Sequence, residues 1–207
     1  MQRKTTWYPV LVAASIGLAA LSSCKGGRNA ETGTPESGAA AGTPTDTAAS
    51  PAAAGSLSDA NIVALLDEAN AADSSAGAYA VGKATDPEVK AFAKLMIGEH
   101  HALRLQGQQL AQRLNVTPEA PADDPLKPAA ASEMAALKAA PKGAQFDRTY
   151  IDQEVAAHKL VLDVAEKGHA AAQNEELKKL IEQAKPVIEK HLDRAEEIQK
   201  KLSKPSA

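Results

Sequence analysis

The sequence predicts an all-α protein, an antiparallel bundle of four amphipathic helices behind an exported, flexible leader. Three observations carry this. Hydrophobic residues make up 44% of the chain while aromatics make up only 3%, so small residues supply much of the apolar content. Alanine is the strongest helix former and adds little buried area, which favours closely packed helices over a sheet sandwich. Apolar residues recur at helical spacing from residue 58 onward, and runs rich in Val, Ile, Thr and aromatics are missing.

The first 23 residues read as a lipoprotein signal peptide. Arg3 and Lys4 give a positive start, and Val10 to Leu21 is an apolar run broken only by Ser15 and Gly17. A dozen residues fall short of the ~20 that a spanning helix needs. Leu21-Ser22-Ser23-Cys24 then resembles the bacterial lipobox, and Cys24 is the only cysteine in the chain. An internal disulfide and a cysteine-based metal cluster are excluded. Lipid on Cys24 would anchor the protein to a membrane, each buried methylene contributing about 0.8 kcal/mol. Lys25 follows the cysteine; by resemblance to the sorting rule of enteric bacteria this directs the protein to the outer membrane, facing the periplasm.

Residues 24–57 form the lipidated cysteine and its linker. The stretch 25–56 holds Gly, Ala, Ser, Thr and Pro without large apolar side chains. It cannot bury enough surface to offset chain entropy and is expected to be a disordered tether. The net charge is −3; without residues 1–23 the chain has 21 basic and 26 acidic residues, a net −5. Such a balance suits solubility and argues against nucleic acid as a partner.

The bundle domain spans residues 58–203. Helix one is predicted over 58–84, with Ser58 as N-cap and Ile62, Leu66, Ala69, Ala76 and Ala80 on one face. Thr85-Asp86-Pro87 ends it and starts helix two, 86–115, with Val89, Phe92, Met96, Leu103, Leu110 and Leu114 sharing a side. Residues 116–142 hold five prolines and make the longest connection, with room for a short helix at Ser132–Lys138. Helix three covers 144–167 and ends near Gly168. Helix four covers 174–202, and Pro186 inside it should bend it or free a carbonyl. The short turns pair helix one with two and three with four.

Each long helix places one ionisable residue in its apolar stripe: Asp73, His100, His158 and His191. Buried groups of this kind need a partner. Counting 1.5 Å per residue from the turns puts Asp73, His100 and His158 at one level, with His191 roughly 6–10 Å lower. Glu154, one turn before His158, is nearer the level of His191. Three imidazoles with one or two carboxylates suit a single zinc, copper or iron ion. The alternative is a hydrogen-bonded network that only fixes helix register. Among weaker candidates, His101 is expected to face solvent and His169 to sit in a turn after Gly168. Glu99 is either exposed or a support for His100, and Tyr150 is expected to pack. Glu196, Glu197, Lys200 and Lys201 read as a solvated face with i,i+4 pairs.

Three ordered segments resemble a bacterial family. They are Pro87-Glu88-Val89-Lys90-Ala91-Phe92-Ala93 leading to Met96 and Glu99-His100; Phe146-Asp147-Arg148-Thr149-Tyr150 leading to His158; and Pro186 leading to His191-Leu192. The chain is similar over about residues 60–200 to the domain of unknown function 4142 family, whose members are often labelled predicted outer membrane proteins and grouped with ferritin-like four-helix bundles. The resemblance puts His100, His158 and His191 on the family's recurring histidines, Asp73 where Glu is usual, Glu99 where Asp is usual, and Arg104 in place of a frequent Asn. It implies fold and envelope location but no activity. Ferritin-like di-iron sites use Glu-x-x-His pairs. Positions 97, 155 and 188 here are Ile, Val and Ile, which argues against ferroxidase or oxygenase chemistry. Two function classes remain: a metal-binding envelope protein, or a non-enzymatic interaction or stress-response module with a protein partner.

Overall fold

A computed structural model describes residues 57–204. The stretch read as a signal peptide, Cys24 and the expected tether over residues 25–56 lie outside the described residues. Five helices follow in order: α1 (Asp59–Lys83), α2 (Pro87–Leu114), α3 (Leu126–Ala139), α4 (Ala144–Ala171) and α5 (Glu175–Leu202). Among the described residues there are no strands, and no helix is long and apolar enough to cross a membrane. The chain is an all-α bundle, in which α1 packs chiefly on α2 and α4 on α5.

Local chemistry sets each boundary. Ser58 and Asn61 form a reciprocal capping box at the start of α1. Asp86 Oδ1 accepts from the backbone N–H of Glu88 and Val89, and Pro87 occupies the first turn of α2, where no N–H is needed. Asn115 ends α2 in the left-handed region at φ 54°. Asn174 caps α5 by accepting from Glu176 and Leu177.

Two predicted elements are longer than their sequence signals. The short helix expected at 132–138 is α3, fourteen residues from Leu126. Pro128 does not block it, because it lies in the first turn, whose N–H groups lack helical acceptors anyway. Asp124 Oδ1 accepts from the N–H of Leu126 and Lys127, at 2.8 and 3.3 Å, and opens the helix. At its other end Lys83 Nζ donates to the carbonyls of Leu137 and Lys138, offsetting the negative helix end. Helix α4 does not stop at Gly168 but runs to Ala171. Gly168 is buried, and a Cβ there would stand 3.3 Å from Ile62 Cγ2. This glycine serves a close approach between α1 and α4 rather than a turn. His169 is accordingly helical and hydrogen-bonds Glu182 at 2.9 Å, not a loop residue. Helix α5 runs continuously through Pro186.

Small residues draw α1 onto α2. Ala76, Ala80 and Ala93 are fully buried, and a Cβ on Gly77 would lie 2.8 Å from the Ala93 carbonyl oxygen. Larger residues fill the space around this seam: Phe92, Met96, Phe146, Tyr150, Ile151 and Ile198 make one end of the core. Ile62, Leu110, Leu177 and Ile181 make the other. The predicted apolar stripe of α1 is correct for Ile62, Ala69, Ala76 and Ala80, while Leu66 is half-buried and Leu65 takes the core position. Of the charged residues near the end of α5, Glu197 pairs along the helix with Arg194 at 2.8 Å, while two others bridge to neighbouring helices. Lys201 reaches Glu88 at 2.6 Å and Glu196 reaches Lys159 at 2.9 Å.

Buried Asp147, in the first turn of α4, clamps the α1–α2 turn. Its carboxylate accepts from the N–H of Thr85 (2.8 Å) and of Asp86 (2.9 Å) and from the Thr85 hydroxyl. Asp147→Ala removes three hydrogen bonds to a charged acceptor that tie α4 to the turn, and is expected to lower stability by about 2 kcal/mol. Urea unfolding measures it; a loss below 1 kcal/mol would refute the clamp.

Candidate metal centre

The middle of the bundle holds polar groups in a layer between the two apolar ends. Asp73, His100, Glu133, Glu154, His158 and His191 are all buried, none more than 6% exposed. The periodicity that builds the helices puts them there: each occupies a core position of its stripe.

The three histidines meet. Ring centroids are 5.5 Å apart for His100–His158, 5.1 Å for His100–His191 and 5.4 Å for His158–His191. One nitrogen from each ring lies within 4.8 Å of the other two. His191 is therefore level with the others, not 6–10 Å below. The turn assumed at Gly168 caused the error: with α4 running to Ala171 and α5 starting at Glu175, the same count reduces the offset to about 4.5 Å.

Each ring has one nitrogen committed and one free. His100 Nδ1 is 2.9 Å from Asn70 Oδ1. The Asn70 amide nitrogen donates to the Leu66 carbonyl, which fixes the amide's orientation and leaves its oxygen to accept. His100 Nδ1 must carry the proton. His158 Nδ1 donates to the Glu154 carbonyl at 2.8 Å. His191 Nε2 donates to Glu99 Oε2 at 2.6 Å. The remaining nitrogens, His100 Nε2, His158 Nε2 and His191 Nδ1, are buried and have no hydrogen-bond partner among the described residues. They present three lone pairs and no proton. Burial holds all three imidazoles below the usual histidine range. For His100 the neighbouring His158 and His191 add to the effect. Neutral imidazole is the metal-binding form.

The carboxylates stand behind the rings. Asp73 Oδ2 is 3.6 Å from His100 Nδ1, and Glu154 Oε2 is 3.5 Å from His158 Nδ1. Asp73, Glu154 and His158 also form a group with ligand atoms within 4.8 Å of one another. Glu154 thus sits beside His158 and Asp73, not at the level of a displaced His191. Desolvation pushes the Asp73 carboxyl up to about 7 and Glu154 well above the carboxylate range, the latter helped by Asp73 and Glu133.

The other candidates separate clearly. His101 is exposed. Glu99 belongs to His191 on α5, not to its sequence neighbour His100. Tyr150 packs edge-on against Phe92, with its hydroxyl buried. Arg104 forms a two-pronged pair with Asp67 at 2.9 and 3.0 Å. Two residues escaped sequence reasoning. Asn70 lies one turn before Asp73, and an amide inside an alanine-rich core stripe was its signal. Glu133 sits on α3, whose length the prolines concealed.

The model of one protein family, Domain of unknown function (DUF4142), matches residues 43–198. No curated protein and no solved structure matches the chain. The chain belongs to the DUF4142 family, and its three mutually facing histidines are those of the ordered segments that carried the resemblance.

Proposed function

We infer that this protein is a cell-envelope lipoprotein that binds a single transition-metal ion through His100 Nε2, His158 Nε2 and His191 Nδ1. The observation that carries the reading is the set of three buried, unpartnered imidazole nitrogens on rings 5.1–5.5 Å apart. Lone pairs crowded in a low-dielectric interior repel one another, and a cation relieves this. Metal–nitrogen bonds of about 2.0–2.1 Å need nitrogens roughly 3.4 Å apart, a modest tightening of the group. Asn70, the Glu154 carbonyl and Glu99 would fix the tautomers, the part that outer partners play at histidine metal sites. Three neutral nitrogens suit zinc, copper or iron and leave a fourth position open. Among the described residues no Arg or Lys is buried.

The N-terminal sequence supports the location. Arg3, Lys4, the apolar run and Leu21-Ser22-Ser23-Cys24 describe an exported chain lipidated on Cys24, with the domain held on a tether in the periplasm, most simply at the outer membrane. Labelled fatty acid should enter the wild type and not Cys24→Ala.

Elemental analysis of protein purified from the periplasm tests the metal. One equivalent of zinc, copper or iron is expected. Protein without metal, whose melting temperature ignores all three ions, would end the proposal. Glu99→Ala is expected to weaken binding by about 10–100-fold by releasing the His191 ring, with the helical spectrum unchanged. Unaltered affinity would show that Glu99 has no orienting role.

A further inference from the structure

A cavity of about 220 Å³ lies between α1, α3 and α4, beside the histidines, which do not line it. Nine of its thirteen lining residues are alanine, leucine or valine, and none is Lys or Arg. Two buried carboxyl groups interrupt this lining, Asp73 from α1 and Glu133 from α3, at 2% and 6% exposure. Asp73 Oδ1 and Glu133 Oε1 are both buried and lack a hydrogen-bond partner among the described residues. Such groups are costly without one. Their presence in a cavity wall, on different helices, points to a ligand that donates to both.

The lining selects the ligand's chemistry. A calcium ion would need six or more oxygen donors, and the alanine-rich wall does not offer them. An anion meets two buried carboxyl groups and no cationic side chain. An alkylammonium meets every requirement. Its N–H donors satisfy both orphan oxygens, its charge complements two carboxyls, and its hydrocarbon part covers the alanine and leucine wall. Size agrees, since a cavity of about 150 Å³ admits benzene. We propose that this cavity is a binding site for a small primary amine with a branched or cyclic hydrocarbon body, held by Asp73 and Glu133. The site shares Asp73 with the layer behind the histidines but uses none of the three imidazole nitrogens.

The test is calorimetric titration of the purified chain with isopentylamine, in EDTA so that amine coordination to a metal cannot contribute. Isopentanol, nearly the same shape without the charge, is the control. Submillimolar binding of the amine is expected, with the alcohol at least tenfold weaker. Glu133→Gln should weaken the amine at least tenfold. Ala157→Leu, which fills the cavity from α4, should abolish it, with circular dichroism showing that both variants remain folded. No binding by the wild type overturns the proposal. So does equal affinity for amine and alcohol, or wild-type binding by either variant.

Discussion

Exchanging His158 for methionine is expected to remove metal binding and, in the metal-free protein, to leave stability unchanged or raise it. Both halves follow from the hydrogen bonds. His158 Nδ1 donates to the carbonyl of Glu154, four residues earlier in α4, which the helix already supplies with the backbone N–H of residue 158. Removing the ring therefore orphans no acceptor. It does remove a buried, unpartnered Nε2, worth about 1–3 kcal/mol of desolvation cost. Methionine is flexible and of similar volume, so it fills the space with little strain. A gain of about 1 kcal/mol corresponds to roughly 4 °C in melting temperature for a domain of this size. Metal affinity should fall at least a hundredfold, because one of three ligands is gone. Thermal melts with and without zinc read both effects. A network that existed only to fix helix register predicts the opposite, a metal-free variant less stable than wild type and a wild type indifferent to zinc.

The fold was legible because its signals are local. Ser58, Asp86-Pro87 and Asn174 set helix starts within a residue of those observed, and the apolar stripes gave the buried faces. Where sequence misled, a tertiary contact outweighed a local propensity. Gly168 reads as a terminator, yet its missing Cβ admits Ile62 of α1, and the helix continues. Pro128 reads as a breaker, yet it falls in the first turn that Asp124 opens. The site was legible residue by residue and misjudged in geometry. All five predicted positions, Asp73, His100, Glu154, His158 and His191, are buried in one layer, because an ionisable residue on a core face has few other places to be. Which nitrogens are free was not readable. That depends on acceptors such as Asn70 and Glu99, brought in by helix packing. The same holds for the division of labour, in which the histidines face one another and the carboxylates stand behind them.

The acid layer behind the histidines gives the metal-free protein an unusual pH dependence: stability should fall as pH rises from 6.5 to 8.5. Glu133 carries the clearest part. Desolvation, with Asp73 adding to it, pushes its carboxyl up to about 8. A raised folded-state pKa means that the native protein holds a proton the unfolded chain has released. The resulting stabilisation is complete below the unfolded value near 4.5 and is lost as pH climbs to about 8. At ~1.4 kcal/mol per pH unit, Glu133 alone accounts for about 2 kcal/mol between pH 6.5 and 8.5. Asp73, pushed up to about 7, steepens the lower half of that range. The unfolded chain's histidines are half protonated at pH 6.5 and essentially neutral above about 7.5, so they oppose the carboxyls only in the lower half of the window, and equally in wild type and Glu133→Gln. The opposition arises because they take up protons that the buried native rings refuse. Urea melts of EDTA-treated wild type and Glu133→Gln at pH 6.5, 7.5 and 8.5 decide the matter. The variant keeps a neutral hydrogen-bonding side chain at every pH, so it should show the shallower slope and be the more stable protein at 8.5. Parallel slopes would mean that Glu133 is ionised in the folded protein throughout.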